Sequence, residues 1–192
     1  MVESLQEQPA GREPAPDALE LVQAFVNTND REGRTDEFAR RELAQKWLSE
    51  HGLLGKGEPV AATDFVWLVE VREALRAVAA TNNGLSPDER AIAVLDDAVS
   101  RTLVVRFTSD GAAVQPVGAG VARAVGRLLA IVVEAIRDGT WPRLKACRRD
   151  ICRWVFYDHS RNRSSSWCAM EICGNRTKTR AYRRRRRSDG HE

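Results

Sequence analysis

"RLKACRRDICRWVFYDHSRNRSSSWCAMEICGNRTKTRAYRRRRR", residues 143–187, holds all four cysteines of a 192-residue chain and half of its 30 Lys and Arg side chains. The thiols fall as Cys147-x4-Cys152, fifteen residues, then Cys168-x4-Cys173. Structural zinc sites use ligand pairs about two to four residues apart, because a short knuckle can present two thiolates to one tetrahedral ion. Two matched pairs across a short insert predict such an ion, with unpaired buried thiols or a redox role as the alternatives. Four thiolates complete the tetrahedron and leave no position for water, so the predicted zinc is structural and not catalytic. His159 lies in the insert and is a candidate replacement ligand, although an exposed loop histidine is the plainer reading.

Within the insert, "RWVFYD" alternates as one short strand, "SSSWCAM" is its predicted partner, and a short helix should follow, capped at Asn175. A module of this size buries too little apolar surface to be stable alone. Metal binding would supply the folding free energy, about 10 kcal/mol in comparable peptides, and its removal is expected to unfold the module and leave the rest standing. Beyond Cys173, Arg176, Arg180, Arg183 and Arg187 recur along one helical face, with Lys178 and Arg184 beside them. Such a row repels itself unless a polyanion relieves it, and nucleic-acid phosphates do so while releasing counterions. Those six residues are the candidate nucleic-acid contacts. Arg183 to Arg187 taken alone also read as a solvated tail.

Charge divides the chain at the same place. Residues 1–142 carry 15 Lys/Arg and 22 Asp/Glu, whereas residues 143–187 carry 15 and 3. This asymmetry predicts a basic module that meets a polyanion and an acidic body with another task. The longest apolar runs, such as "LLAIVVEAI", fall short of the roughly 20 residues a membrane span needs, and the first thirty residues show no export signal. The expectation is a soluble, cytoplasmic protein with no membrane partner, in which disulfides would not persist and paired thiols hold metal. Arg outnumbers Lys 26 to 4, a bias typical of a GC-rich bacterial genome.

The acidic body reads as mainly helical with one β-hairpin. Residues 1–16, rich in Pro, Glu and Gln, are expected to be a disordered leader. Asp17 and Glu20 give a cap-like start to a helix carrying Leu19, Val22, Phe25 and Val26. A second helix is expected from about Thr35 to Gly52, where a left-handed cap favours glycine, and a third from about Thr63 to Thr81. "SPDE" at 86–89 should open the fourth, with Ser86 as cap, Pro87 in the first turn and Glu89 completing a capping box. "TLVVRFTSDGAAVQPV" alternates about Asp110-Gly111 as a hairpin, and a long apolar helix from about Ala119 should end at Gly139. Trp47 and Trp67 read as core residues before pocket residues, and His51 as a helix-end residue. No P-loop, GxGxxG or HExxH occurs.

At "CGNR", residues 173–176, and upstream at Cys147, Cys152, Trp154, Phe156, Asp158, Ser160 and Asn162, the chain resembles the CGNR zinc-finger family of bacterial proteins. "FVNTND" at 25–30, "KWLSEHGLL" at 46–54 and "VREALRAV" at 71–78 are similar to signatures of the ABATE-type domain that precedes such fingers. The resemblance implies a stress-induced transcription regulator with Cys147, Cys152, Cys168 and Cys173 as zinc ligands. A serine run, Ser164 to Ser166, stands where such fingers are often basic.

The division expected is a leader over 1–16, a helical ABATE-like domain over 17–140, a CGNR-type finger with a basic helix over 143–187, and a tail over 188–192. The function expected is transcription regulation by DNA binding, with the first domain sensing a signal, such as a small-molecule effector, or forming a homodimer. One alternative is an RNA-binding or ribosome-associated module using Trp154, Phe156, Tyr157, Trp167 and Tyr182 as stacking platforms. Another is a small-molecule enzyme housed in the helical domain; the Ser, His and Asp side chains near 158–166 fall in a loop with no supporting nucleophile motif, and the leading reading is not enzymatic.

Overall fold

The computed structural model describes residues 4–109, 111–177 and 179. Among these residues five helices, α1 (Leu19–Asn27), α2 (Arg41–Glu50), α3 (Ala62–Thr81), α4 (Glu89–Thr102) and α5 (Gly120–Arg137), form the larger part. The described strands make three separate antiparallel pairs: β1 (Asn29–Asp30) with β2 (Thr35–Asp36), β3 (Leu103–Thr108) with β4 (Gly111–Pro116), and β5 (Leu144–Ala146) with β6 (Val155–Tyr157). The fold is thus mainly α with a long hairpin, followed by a small four-cysteine unit made of a short hairpin and a helical turn, as expected.

Local chemistry explains where the elements begin and end. Asp17 does not cap α1: its φ is +51°, and the backbone carbonyls of Pro16 and Asp17 take the first N–H groups instead. The second helix starts at Arg41 and not at Thr35, because short carboxylates hold residues 29–38 in turns. Asp30 Oδ1 accepts from the N–H groups of Glu32 and Gly33, and Asp36 Oδ1 from that of Phe38, so the local bonds compete with a helix. Gly52, at φ +66°, closes α2 as expected while the Leu53 N–H turns back to Leu48 O at 2.7 Å. The cap of α4 is Asp88, whose carboxylate accepts from the N–H groups of Arg90 and Ala91, and not Ser86. In the long hairpin Thr108 pairs with Gly111, so the connecting residues are 109 and 110, one position earlier than Asp110-Gly111. Gly139, at φ +72°, ends α5.

The finger's strand partner also differs from the expectation. "VFY" pairs with Leu144–Ala146, which precede the first cysteine, in the register Leu144↔Tyr157, Lys145↔Phe156 and Ala146↔Val155. The alternation there decides the two faces. Leu144, Ala146, Val155 and Tyr157 join the core formed by Val22, Phe25, Leu68, Leu75, Val125 and Leu128. Phe156 faces the other way and packs with the four cysteines, Trp154 and Trp167. This hairpin is a wall shared by two cores, so the finger and the helical body form one continuous packed unit.

The segment read as a leader differs too, since Gln8 and Ala15 are buried. The Ala15 N–H donates to Gln23 Oε1 at 2.6 Å, and Gln23 Nε2 donates to Gln8 Oε1 at 2.8 Å. Its Pro and Gln content suggested disorder, but a glutamine pair and one arginine tie it across the junction. No helix among the described residues is long and apolar enough to cross a membrane.

Candidate metal centre

Each pair of cysteines is set by its own turn. In the first, the Cys147 N–H donates to Trp154 O at 2.9 Å, the N–H groups of Cys152 and Arg153 both turn back to Arg149 O, and Arg153 takes a φ of +53°. In the second, Met170–Gly174 form a single wide helical turn in which the N–H groups of Cys173 and Gly174 share Ala169 O. A Cβ on Gly174 would lie 3.1 Å from Trp167 Cδ1 and 2.3 Å from Met170 Sδ, so only glycine lets this turn close against Trp167. Asn175 continues the helical path at φ −64° and is exposed, so it is not the cap the sequence suggested.

The turns bring Cys147, Cys152, Cys168 and Cys173 together, all buried, with their sulfurs within 4.8 Å of one another. Cys152 and Cys168 sulfurs are 3.6 Å apart, and those of Cys168 and Cys173 are 3.7 Å apart. A Zn–S bond of about 2.3 Å sets a tetrahedral S···S edge of about 3.8 Å. A disulfide needs about 2.05 Å. The spacing therefore fits four thiolates around one ion, and all four cysteines are free of disulfides. The electrostatics agree. Hydrogen bonds from Cys152 and Cys168 lower the pKa of the Cys147 thiol, the same bonds raise those of Cys152 and Cys168, and burial raises that of Cys173. Four adjacent thiols cannot all ionise by themselves, whereas a divalent cation deprotonates its thiol ligands outright. The residues fit structural zinc. His159 stands apart, its Nε2 2.9 Å from Pro14 O and its ring against Tyr157.

Polar side chains of the helical body hold this centre in place. Asn27 brackets β6 like a further strand: its Nδ2 donates to Val155 O and its Oδ1 accepts from Val155 N–H, both at 2.8 Å. Arg76, almost fully buried, donates to Arg153 O at 3.0 Å, to Val26 O at 2.6 Å and to Asn29 O at 3.0 Å. Asn83 Nδ2 reaches Ala146 O and Ser166 O, and Arg148 Nε returns to Asn83 O at 2.7 Å. Arg12 donates to Tyr157 O, Trp167 O and Cys168 O while its guanidinium lies 4.7 Å over the Phe156 ring. Trp154 Nε1 donates to Gln8 Oε1.

Glu32, on the turn between β1 and β2, reaches the edge of the centre. Its carboxylate pairs with Arg149 and, at 2.5 Å, with Arg176, and it lies 3.7 Å from Cys173 Sγ. Burial opposes its ionisation, but the hydrogen bond from Arg149 and the charges of Arg149 and Arg176 outweigh this and hold its pKa below the usual glutamate range. Of these partners the sequence singled out only Arg176 and Trp154, and for other roles. The signal available was that Asn27 and Arg76 fall inside "FVNTND" and "VREALRAV", polar letters within otherwise apolar helices.

Of the expected nucleic-acid contacts, Arg176 is exposed beside the centre. Lys178, Arg180, Arg183, Arg184 and Arg187 lie outside the described residues, as do Tyr182 and the 188–192 tail. Phe156 and Tyr157 are buried, and Trp154 and Trp167 are half-buried, so none of these four is an open stacking platform. Asp158 is fully buried and engaged by Lys145 at 2.7 Å and by Ser160, a structural lock rather than part of a triad. Trp47 is in the core, with the His51 ring stacked 3.8 Å above it, and Trp67 is half-buried under Arg101.

Comparison with protein families gives two matches. The ABATE family, described as "Putative stress-induced transcription regulator", matches residues 19–139, and the CGNR zinc finger matches residues 143–186. Neither description is that of an enzyme. No curated protein matches the chain.

Proposed function

Since the chain belongs to the ABATE family and ends in a CGNR zinc finger, we propose that it is a cytoplasmic transcription regulator whose zinc-held finger binds duplex DNA. The proposal divides the labour between residues 17–140, which sense a stress signal or dimerise, and residues 143–187, which contact the nucleic acid. The observation that carries it is the concentration of charge around a closed metal centre. The finger segment holds 15 basic against 3 acidic side chains, and Arg148 and Arg176 are exposed at the first and second cysteine turns. Zinc, when bound, supplies folding free energy of about 10 kcal/mol and no open coordination position. The chemistry at this site is recognition of an anion and not turnover.

The test is binding of the zinc-loaded protein to duplex DNA and to structured RNA over a salt series, with and without replacement of Arg183 to Arg187 by serine. Duplex binding that falls steeply with salt, and weakens in the variant, supports the regulator. Preference for RNA at matched salt would replace it with an RNA-binding module, a reading that the burial of Phe156 and Tyr157 does not favour. Binding to neither would sink both.

A further inference from the structure

The two cysteine turns face each other across a surface cleft of about 280 Å³ lined by Arg148, Arg149, Asp150, Ile151, Arg176 and Thr177. Pockets for organic ligands start at roughly 300 Å³, so this one suits a single small group. Its charge specifies which. Each of the three arginines is tethered along one edge: Arg148 by Asn83 O, Arg149 by Glu32 and Cys173 Sγ, and Arg176 by Glu32. Asp150 is committed to Arg153 at 2.5 Å. Two of the three guanidinium groups, those of Arg149 and Arg176, thus share one counter-ion from the helical body, the Glu32 carboxylate, while Arg148 is held by a backbone carbonyl. The Thr177 hydroxyl is spent on Cys173 O, which leaves recognition to the arginines. Tethered guanidinium forks lose little rotamer freedom on binding and match the oxygens of a phosphate bidentately.

We infer that Arg148, Arg149 and Arg176 form a phosphate-binding cleft of the finger, and that Glu32 is an internal competitor for the phosphate of a nucleic-acid backbone. The inference deepens the proposed function and rests on it. Arg149 is half-buried and orients the cleft, while the exposed Arg148 and Arg176 present free N–H groups to the incoming anion. A phosphate entering between them displaces or shares Glu32, so the helical body sets how tightly the finger holds a backbone. The contact is to phosphate and carries no base information.

The experiment uses the full-length zinc-loaded protein and fluorescence anisotropy with a labelled random duplex, from about 50 to about 200 mM salt. The parent is compared with Arg148→Gln and Glu32→Gln, each checked for zinc content and melting temperature. Arg148→Gln is expected to reduce the slope of log K against log salt by about 0.9 and to weaken binding equally on unrelated sequences. Glu32→Gln is expected to tighten binding about fivefold, the scale of one surface charge at contact distance. If the parent binds duplex and neither variant differs from it, the cleft is overturned while the regulator stands. If only RNA binds and the same changes appear, the cleft stands and the DNA reading falls. If neither nucleic acid binds, inorganic phosphate decides, titrated against chloride at equal ionic strength and followed by the arginine Nε–H resonances. Saturable shifts lost in Arg148→Gln keep an anion cleft without the proposed function, and their absence overturns both.

Discussion

Replacing Asn27 by leucine tests whether the finger is held by the helical body or merely follows it. The substitution keeps the branched heavy-atom skeleton of the side chain and removes two buried hydrogen bonds to Val155, each 2.8 Å long. The consequences are unequal. Val155 O retains Gln23 Nε2 at 3.2 Å, so one acceptor stays satisfied and the loss there is about 1 kcal/mol. The Val155 N–H points away from its ladder partner and has Asn27 Oδ1 as its acceptor, so it is left buried and unpaired, at a cost of about 1–3 kcal/mol. The expected total is about 3 kcal/mol, and in a chain of this length each kcal/mol moves the melting temperature by about 3 °C. Asn27→Leu should therefore melt about 9 °C below the parent, and zinc should pass to a colorimetric chelator faster, because β6 lies between the two cysteine turns. Asn175→Ala, at an exposed position, is the control and should melt with the parent. A melting temperature within about 2 °C of the parent and unchanged zinc transfer would refute the claim that this amide fastens the hairpin.

Three further outcomes follow from the same geometry. Cys168→Ser should abolish stoichiometric zinc in metal analysis, and in circular dichroism it should loosen part of the helical body as well as the finger, because Leu144, Ala146, Val155 and Tyr157 belong to the main core; unchanged helicity would separate the two units. Asp36→Asn leaves the buried Arg72 without its bidentate partner at 2.6 and 2.8 Å and should lower the melting temperature by several degrees at pH 7. Burial raises the Asp36 pKa, but Arg72 and the Phe38 N–H outweigh it and lower the net value. Its stabilisation is therefore complete above the unfolded value of about 3.9 and lost as pH falls through the folded one. The gap between parent and variant should close below about pH 4, and since both share the finger, acid release of zinc cancels in the difference. Gly126→Ala should destabilise despite the better helix propensity of alanine, since its Cβ would lie 2.8 Å from Thr102 O and 3.1 Å from Pro116 Cβ where α5 meets the base of the long hairpin; a raised melting temperature would show that the hairpin gives way.

What could be read from the sequence were features that repeat or are compositionally loud. Helical spacing located the five helices α1 to α5 of the described residues, and Gly52 and Gly139 ended two of them, because a left-handed backbone favours glycine. The four thiols announced a metal centre, since few other arrangements need that spacing. Misreadings arose where a local competitor outbid the pattern. Asp36 took the Phe38 N–H and held a turn where a helix from Thr35 was expected, and Asp88 capped where Ser86 was expected. The strand partner of "VFY" was misread because "SSSWCAM" follows the pattern of a strand, while the three-residue "LKA" is too short to show a period.

The polar junction was invisible for a different reason. Asn27, Arg76 and Arg12 each serve carbonyl or N–H groups more than 70 residues away in the chain, and no periodicity encodes a partner at that distance. In a helix considered alone, a buried arginine such as Arg76 looks like an exposed one interrupting an apolar face. Its environment requires the opposite reading. Three backbone carbonyls and the Glu73 carboxylate surround it, so removing the guanidinium would strand acceptors on both sides of the junction. A finger too small for its own core has its inner strand face in the core of its neighbour and its outer face on the metal. The polar residues of the signatures join the two, because a buried strand edge must be hydrogen-bonded by something, and here side chains from α1 and α3 do what another strand would do.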